Sequence, residues 1–152
     1  MNLVRIPTEE LEKVWSLVEK DIRQALAYSS QLTDSNFVFE IAKQNKFQIW
    51  VLWDKEQKEQ NKYFGVVVTE IIKRKLGKVC HIYIMTGRQR HKWQYLIKDI
   101  EEFAKNEGCL MMELIARPGW QKVLNNFGYK RTHVVLEKKI KKEEKKWLLV
   151  EV

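Results

Sequence analysis

The sequence predicts an α/β (α+β) fold, with a central mixed, mostly antiparallel sheet of six to seven strands flanked by helices. Three observations predict it. The apolar period switches along the chain between about 3.6 and 2, in the order β, α, α, β, β, β, α, β, α, β. Glycine and proline number only 6 and 2, while 45% of the 152 residues are apolar and 32% charged, which excludes collagen-like, low-complexity and disordered chains. A chain of this length buries about 70% of its unfolded surface, enough for a core without disulfide or metal.

Residues 2–6 are short and apolar. Pro7 and Thr8 then open a helix over about 8–29, with Thr8 as its expected N-cap and Glu9 and Glu10 at the positive end of the dipole. Leu11, Val14, Trp15, Val18, Ile22, Ala25 and Leu26 form one apolar face, and Glu12, Lys13, Glu19, Lys20 and Arg23 fall mainly opposite. A polar break from Ser29 to Asp34 precedes a shorter helix carrying Phe37, Val38 and Ile41. Phe47 to Trp53, Tyr63 to Ile72 and Val79 to Met85 are aromatic and β-branched runs at short spacing, which read as an antiparallel meander turning at Gly77. Trp93, Leu96, Ile97, Ile100, Phe103 and Ala104 restore the helical period, and Gly108 ends that helix. Cys109 to Ala116 reads as a buried strand. Pro118 starts a short helix with Val123, Leu124 and Phe127 inward, Gly128 stops it, and Tyr129 to Ile140 returns as a strand. Neither an internal repeat nor a domain boundary interrupts residues 1–140. Residues 141–152 are a charged spacer with an apolar tip, Trp147, Leu148, Leu149 and Val150, which is a frayed tail, a final edge strand or a docking peptide that adds a strand to a partner.

Lys and Arg number 28 against 20 Asp and Glu, a net charge of +8, which admits nucleic acid, anionic lipid or CoA-like polyphosphates without choosing among them. The charge gathers in two runs, Lys73-Arg74-Lys75 with Lys78, and Arg88, Arg90 and Lys92. If they share a face, sequence-independent phosphate contact follows; otherwise they are scattered solubilising charges. Cys80 and Cys109 are the only cysteines, sit in apolar runs and read as two buried free thiols in a reducing or indifferent compartment. His81, His91 and His133 lack metal-ligand spacing, so no metal site is expected. His81 lies in an alternating strand, as a core or edge histidine or as a general base; His91 binds phosphate or marks a solvated helix start; His133 is expected to be exposed. Apolar stretches as short as Val66 to Val68 cannot span a bilayer, and MNLVRIPTEELEK does not read as a signal peptide.

The element order, together with CLMMELIARPGWQKVLNNFGYKRTHVVLEKKI, resembles the GCN5-related N-acetyltransferase (GNAT) family. The carrying residues are the strand Leu110 to Ala116, the short helix Pro118 to Phe127, the pair Gly128-Tyr129, and Leu136-Glu137-Lys138. The run Gly87-Arg88-Gln89-Arg90-His91-Lys92-Trp93 further resembles phage-encoded GNAT-like proteins, some of them internal virion proteins of short-tailed phages. The resemblance implies that the pyrophosphate of an acyl-CoA rests on the N-terminus of the central helix, where backbone N–H groups and the dipole favour anions. Setting Leu96-Ile97 against the family's apolar pair puts Arg88 at the first place of the Q/R-x-x-G-x-G/A loop and His91 and Trp93 at its two small positions. An indole there is expected to fill the space the diphosphate needs. Leu124 stands where many members carry a tyrosine as general acid, and Arg117 replaces a common asparagine. Glu70 is the first candidate base, followed by Glu113 and His81, while Tyr129 is expected to be a core aromatic.

The resulting expectation is a catalytically degenerate, phage-encoded GNAT-fold protein. It is virion-associated, located in the host cytoplasm during infection or in the virion, and needs no cofactor. It acts through other virion proteins or a second copy, with Trp147 to Val150 as the partner-binding segment. The alternative is an acyl-CoA-dependent N-acetyltransferase that holds acetyl-CoA phosphates through Arg88, Arg90, His91 and Lys92, with Glu70 or a water as base. A third reading is a non-specific nucleic-acid binder. The surroundings of Trp93 discriminate: an open splay between the fourth and fifth strands, with the indole turned away, favours the enzyme.

Overall fold

Alternating β-branched and aromatic residues build the sheet, seen in a computed structural model that describes residues 1–28 and 32–140. Strands β1 (Asn2–Arg5), β2 (Phe47–Trp53), β3 (Tyr63–Arg74), β4 (Gly77–Gly87) and β5 (Cys109–Leu114) lie in the order β1-β2-β3-β4-β5. The first four pair antiparallel, and β5 joins β4 in parallel. The chain divides into two units, one from Met1 to Ile115 that holds the whole sheet and one beginning at Ala116.

Helix α1 (Leu11–Ala27) follows a 3₁₀ turn over Thr8–Glu10. Thr8 does not cap it: the turn is closed by the Glu10 amide donating to the Pro7 carbonyl, which leaves Thr8 inside the turn. Helix α2 (Ser35–Lys43) is capped by Asp34, whose carboxylate accepts the Phe37 amide at 2.9 Å. Asp34→Ala is expected to cost about 1 kcal/mol, read as a lower thermal midpoint, with Asp34→Asn nearly neutral. Both helices cover one face of the sheet. Leu11, Val18, Ile22, Leu26, Val38 and Ala42 pack there on Phe47, Ile49 and Val51 of β2, Val66 and Val68 of β3, and Ile84 of β4. Helix α3 (Ile97–Asn106) covers the opposite face, where the Phe103 and Trp50 rings meet edge to face at 5.1 Å.

Two irregularities shape β4. The register slips between Val68 and Thr69, which pair with Ile84 and Ile82, so Tyr83 is a bulged residue. At the far end Gly65 pairs directly with Gly87, and a Cβ on either would stand 2.3 Å from a backbone oxygen of the other strand. The contact requires glycine there.

Several expectations change. Five strands form among the described residues, not six to seven. Tyr129–Ile140 has no strand among them, and its Val134, Val135, Leu136 and Ile140 are exposed. The apolar tip Trp147–Val150 lies outside the described residues. Strand β5 is not buried: Leu110 and Met111 are 73% and 58% exposed, because β5 is the outermost strand of the sheet on its side among the described residues. Cys80 is buried but Cys109 only partly so, for the same reason. The turn between β3 and β4 is Lys75-Leu76, with Gly77 already in β4. The central helical stripe starts as two 3₁₀ turns, Arg90–Lys92 and Gln94–Leu96, before α3 proper. In the second unit, α4 spans Pro118–Asn125, with Arg117 at its N-cap and Gly128 beyond it at a φ of 88°.

Candidate active site at the fork of β4 and β5

The parallel ladder between β4 and β5 runs from Lys78 opposite Cys109 to Ile82 opposite Leu114. There β5 ends, while β4 continues to Gly87. Tyr83–Gly87 therefore has β3 on one side and no strand on the other among the described residues. Beyond this point the backbone groups of β4 have lost their β5 partners.

Directly before the fork, cross-strand pairing sets Phe47, Glu70, His81 and Glu113 in one row on the face that α1 and α2 cover. His81 Nδ1 stands 3.1 Å from Glu113 Oε1. The Arg74 guanidinium donates to both oxygens of Glu113, at 2.9 and 2.8 Å. The Arg74 bonds hold the Glu113 carboxyl below the usual carboxylate range; partial burial opposes them, and the charge of Arg74 adds to them. The Tyr83 ring lies 6.4 Å from that of His81 and stacks on Phe47 at 5.1 Å, and burial raises its phenol. On β4, burial pushes the Cys80 thiol up to about 12, with a smaller contribution from Cys109, so it is protonated and unreactive at neutral pH.

The loop after β4 differs from the expectation at Trp93. That side chain is only 2% exposed, and its indole N–H donates to the Arg88 carbonyl at 2.8 Å. It belongs to the apolar stripe with Leu96, Ile97 and Ile100, and its single polar atom is satisfied locally. The indole is turned into the core. Arg88 is engaged with the start of β3: its guanidinium lies 3.8 Å above the Phe64 ring centroid and donates to the Asn61 and Tyr63 carbonyls. Gln89 adopts a left-handed conformation with φ 53°, and the amides of Lys92, Trp93 and Leu96 close the 3₁₀ turns. His91 and Lys92 are exposed and Arg90 is half-buried. Much of the loop's backbone is thus already hydrogen-bonded, and His91 and Lys92 give it an exposed imidazole and an exposed cation.

The two basic runs do not converge. One lies at the Lys75-Leu76 turn and the other beyond Gly87, so the length of β4 separates them, roughly 33 Å at 3.3 Å per residue. Within the first run Arg74 holds Glu113, and Lys78 donates to the Glu107 carbonyl at 3.2 Å. Leu124 is buried in α4 and carries no proton to donate, and His133 is exposed as expected. Among the described residues no group of side chains could hold a metal ion, and no helix is long and apolar enough to cross a membrane.

Among the described residues the sheet is antiparallel except for one parallel pair at its edge, with helices on both faces, and this defines a mixed α+β fold. The chain superimposes on a probable acetyltransferase with a TM-score of 0.66 at 14% identity, over 95% of this chain and 100% of that one. It superimposes on glucosamine-6-phosphate N-acetyltransferase from Arabidopsis thaliana with a TM-score of 0.64 at 16% identity, over 92% and 98%. For a putative acetyl transferase from Pyrococcus furiosus the TM-score is 0.62 at 20% identity, over 91% and 99%. No family model and no curated protein matches the chain. The fold is that of the GCN5-related N-acetyltransferases.

Proposed function

We propose that the chain is an acyl-CoA-dependent N-acyltransferase. The observation that carries this reading is the end of the parallel β4–β5 ladder at Ile82 and Leu114, with β4 running on to Gly87 and Trp93 buried. An extended, amide-bearing thioester arm matches the free edge at Tyr83–Gly87, and Arg90, His91 and Lys92 supply cations for its phosphates. The acceptor is an amine, in keeping with the acetyltransferase neighbours. Isothermal titration with acetyl-CoA tests the reading. A micromolar dissociation constant is expected, weakened at least tenfold by Arg90→Ala with Lys92→Ala and further by salt. Absence of binding by the unaltered protein overturns it.

A second reading is favoured by Leu124, which occupies the place where a proton donor for the leaving thiolate is common in this fold. In that reading the chain is a catalytically degenerate, phage-encoded virion component without cofactor. It sits in the host cytoplasm or the particle and docks on other virion proteins or a second copy through Trp147, Leu148, Leu149 and Val150. Its mark is presence in purified particles together with silence toward acetyl-CoA. The nucleic-acid reading loses ground because the basic runs lie at opposite ends of β4.

A further inference from the structure

We propose that His81 is the proton acceptor for the attacking amine and that Glu113, held by Arg74, is its positioning residue; this rests on the acyltransferase reading above. Three strands supply the assembly: Arg74 from β3, His81 from β4 and Glu113 from β5. The bidentate guanidinium fixes the plane of the carboxylate, and an ionised carboxylate can only accept. The hydrogen between His81 and Glu113 therefore sits on Nδ1. The neutral ring then keeps its lone pair on Nε2, which ring geometry aims away from Glu113.

The surroundings suit this task. His81 is one rung from the last pair of the ladder, Ile82 opposite Leu114, so it stands at the inner end of the fork. Glu70 faces it from β3, Tyr83 adjoins it on β4, and α1 turns its apolar residues Val18, Ile22 and Leu26 toward this face. Glu113 already accepts both guanidinium bonds of Arg74, and the imidazole is the side chain of the row whose two nitrogens can hold and pass on a proton. The proton balance closes. Nε2 takes one proton from the acceptor ammonium, and the freed nitrogen lone pair forms the C–N bond. The thioester C–S bond breaks with its electron pair leaving on sulfur, the second nitrogen proton goes to that thiolate, and the imidazolium beside Glu113 later releases its proton to water.

The first readout needs no acyl donor. Long-range ¹H–¹⁵N spectra of the free protein should show the neutral His81 ring as the Nδ1–H tautomer, and Glu113→Ala, which removes the acceptor, should abolish that preference. With acetyl-CoA and an amine, H81Q should lower kcat at least 100-fold while the acetyl-CoA dissociation constant stays within twofold. E113A should lower kcat at least tenfold with the same unchanged binding. Should H81Q not fold, E113A keeps the imidazole and decides alone. An unmoved His81 tautomer in E113A, or an unchanged rate in a folded H81Q, overturns the proposal while leaving the acyltransferase reading intact. An unaltered protein that neither binds nor turns over acetyl-CoA removes that reading, and the catalytic role of His81 with it.

Discussion

Trp93→Ala should destabilise the protein by about 3–5 kcal/mol in urea unfolding, the range for deleting a large buried aromatic side chain. The indole is 2% exposed at the head of the α3 stripe, and its N–H ties the Arg88 carbonyl to the helix start. Trp93→Phe separates the two contributions: it keeps most of the apolar area and loses one hydrogen bond, about 1 kcal/mol, plus the cost of leaving the Arg88 carbonyl unpaired. The same pair of variants tests the site. A core indole predicts a large stability loss and no gain in acetyl-CoA affinity for Trp93→Ala. A loss below 1 kcal/mol with tighter acetyl-CoA binding would mean that the indole had been obstructing the ligand.

The second large effect is expected at Thr69, which is fully buried on the α3 face of the sheet. Its hydroxyl oxygen accepts the Trp50 indole N–H at 2.9 Å, and its hydrogen is donated to the Gln48 side-chain oxygen at 2.8 Å. Gln48 pairs with Thr69 across β2 and β3, and both Gln48 and Trp50 are buried. Thr69→Val keeps the shape but leaves one donor and one acceptor unsatisfied in the interior. At about 1–3 kcal/mol for each of the two orphaned groups, the expected loss is about 2–6 kcal/mol by chemical denaturation. Adding Gln48→Leu and Trp50→Phe should recover part of that loss, because removing every member of a polar chain leaves nothing unpaired. A triple variant as unstable as the sum of the single changes would show that packing, not hydrogen bonding, dominates there.

The meander of β2, β3 and β4 was legible because each strand carries its own alternation and the connections are short, so local patterning fixes both the elements and their pairing. The start of the central helix was misread because a stripe such as Trp93, Leu96, Ile97 and Ile100 appears the same whether its first turns are α or 3₁₀. The sequence pulled two ways at Trp93: its apolar stripe with Leu96, Ile97 and Ile100 marked it as core, the motif comparison set it in the phosphate loop, and the buried side chain follows the stripe. Strand β5 was read as buried from CLMMELIA, yet an apolar run does not tell a central strand from an outer one. The site was half visible. His81, Glu70 and Glu113 each stood out as titratable residues within strands, but their common row depends on the β4–β5 register, which a parallel pair joined through a helix does not write into local spacing. Arg74 was counted in a basic run because its partner is 39 positions away.

Chain connectivity carries one more consequence. The strands from β2 to β4 can zip up neighbour by neighbour, whereas β5 reaches β4 only after Arg88 to Gly108 has wound through α3. Closing that longer loop is entropically slower than closing the Lys75-Leu76 hairpin. The imidazole and its carboxylate partner thus meet only once β5 docks, and a nascent chain halted before β5 would hold four of the five strands with that contact still unmade.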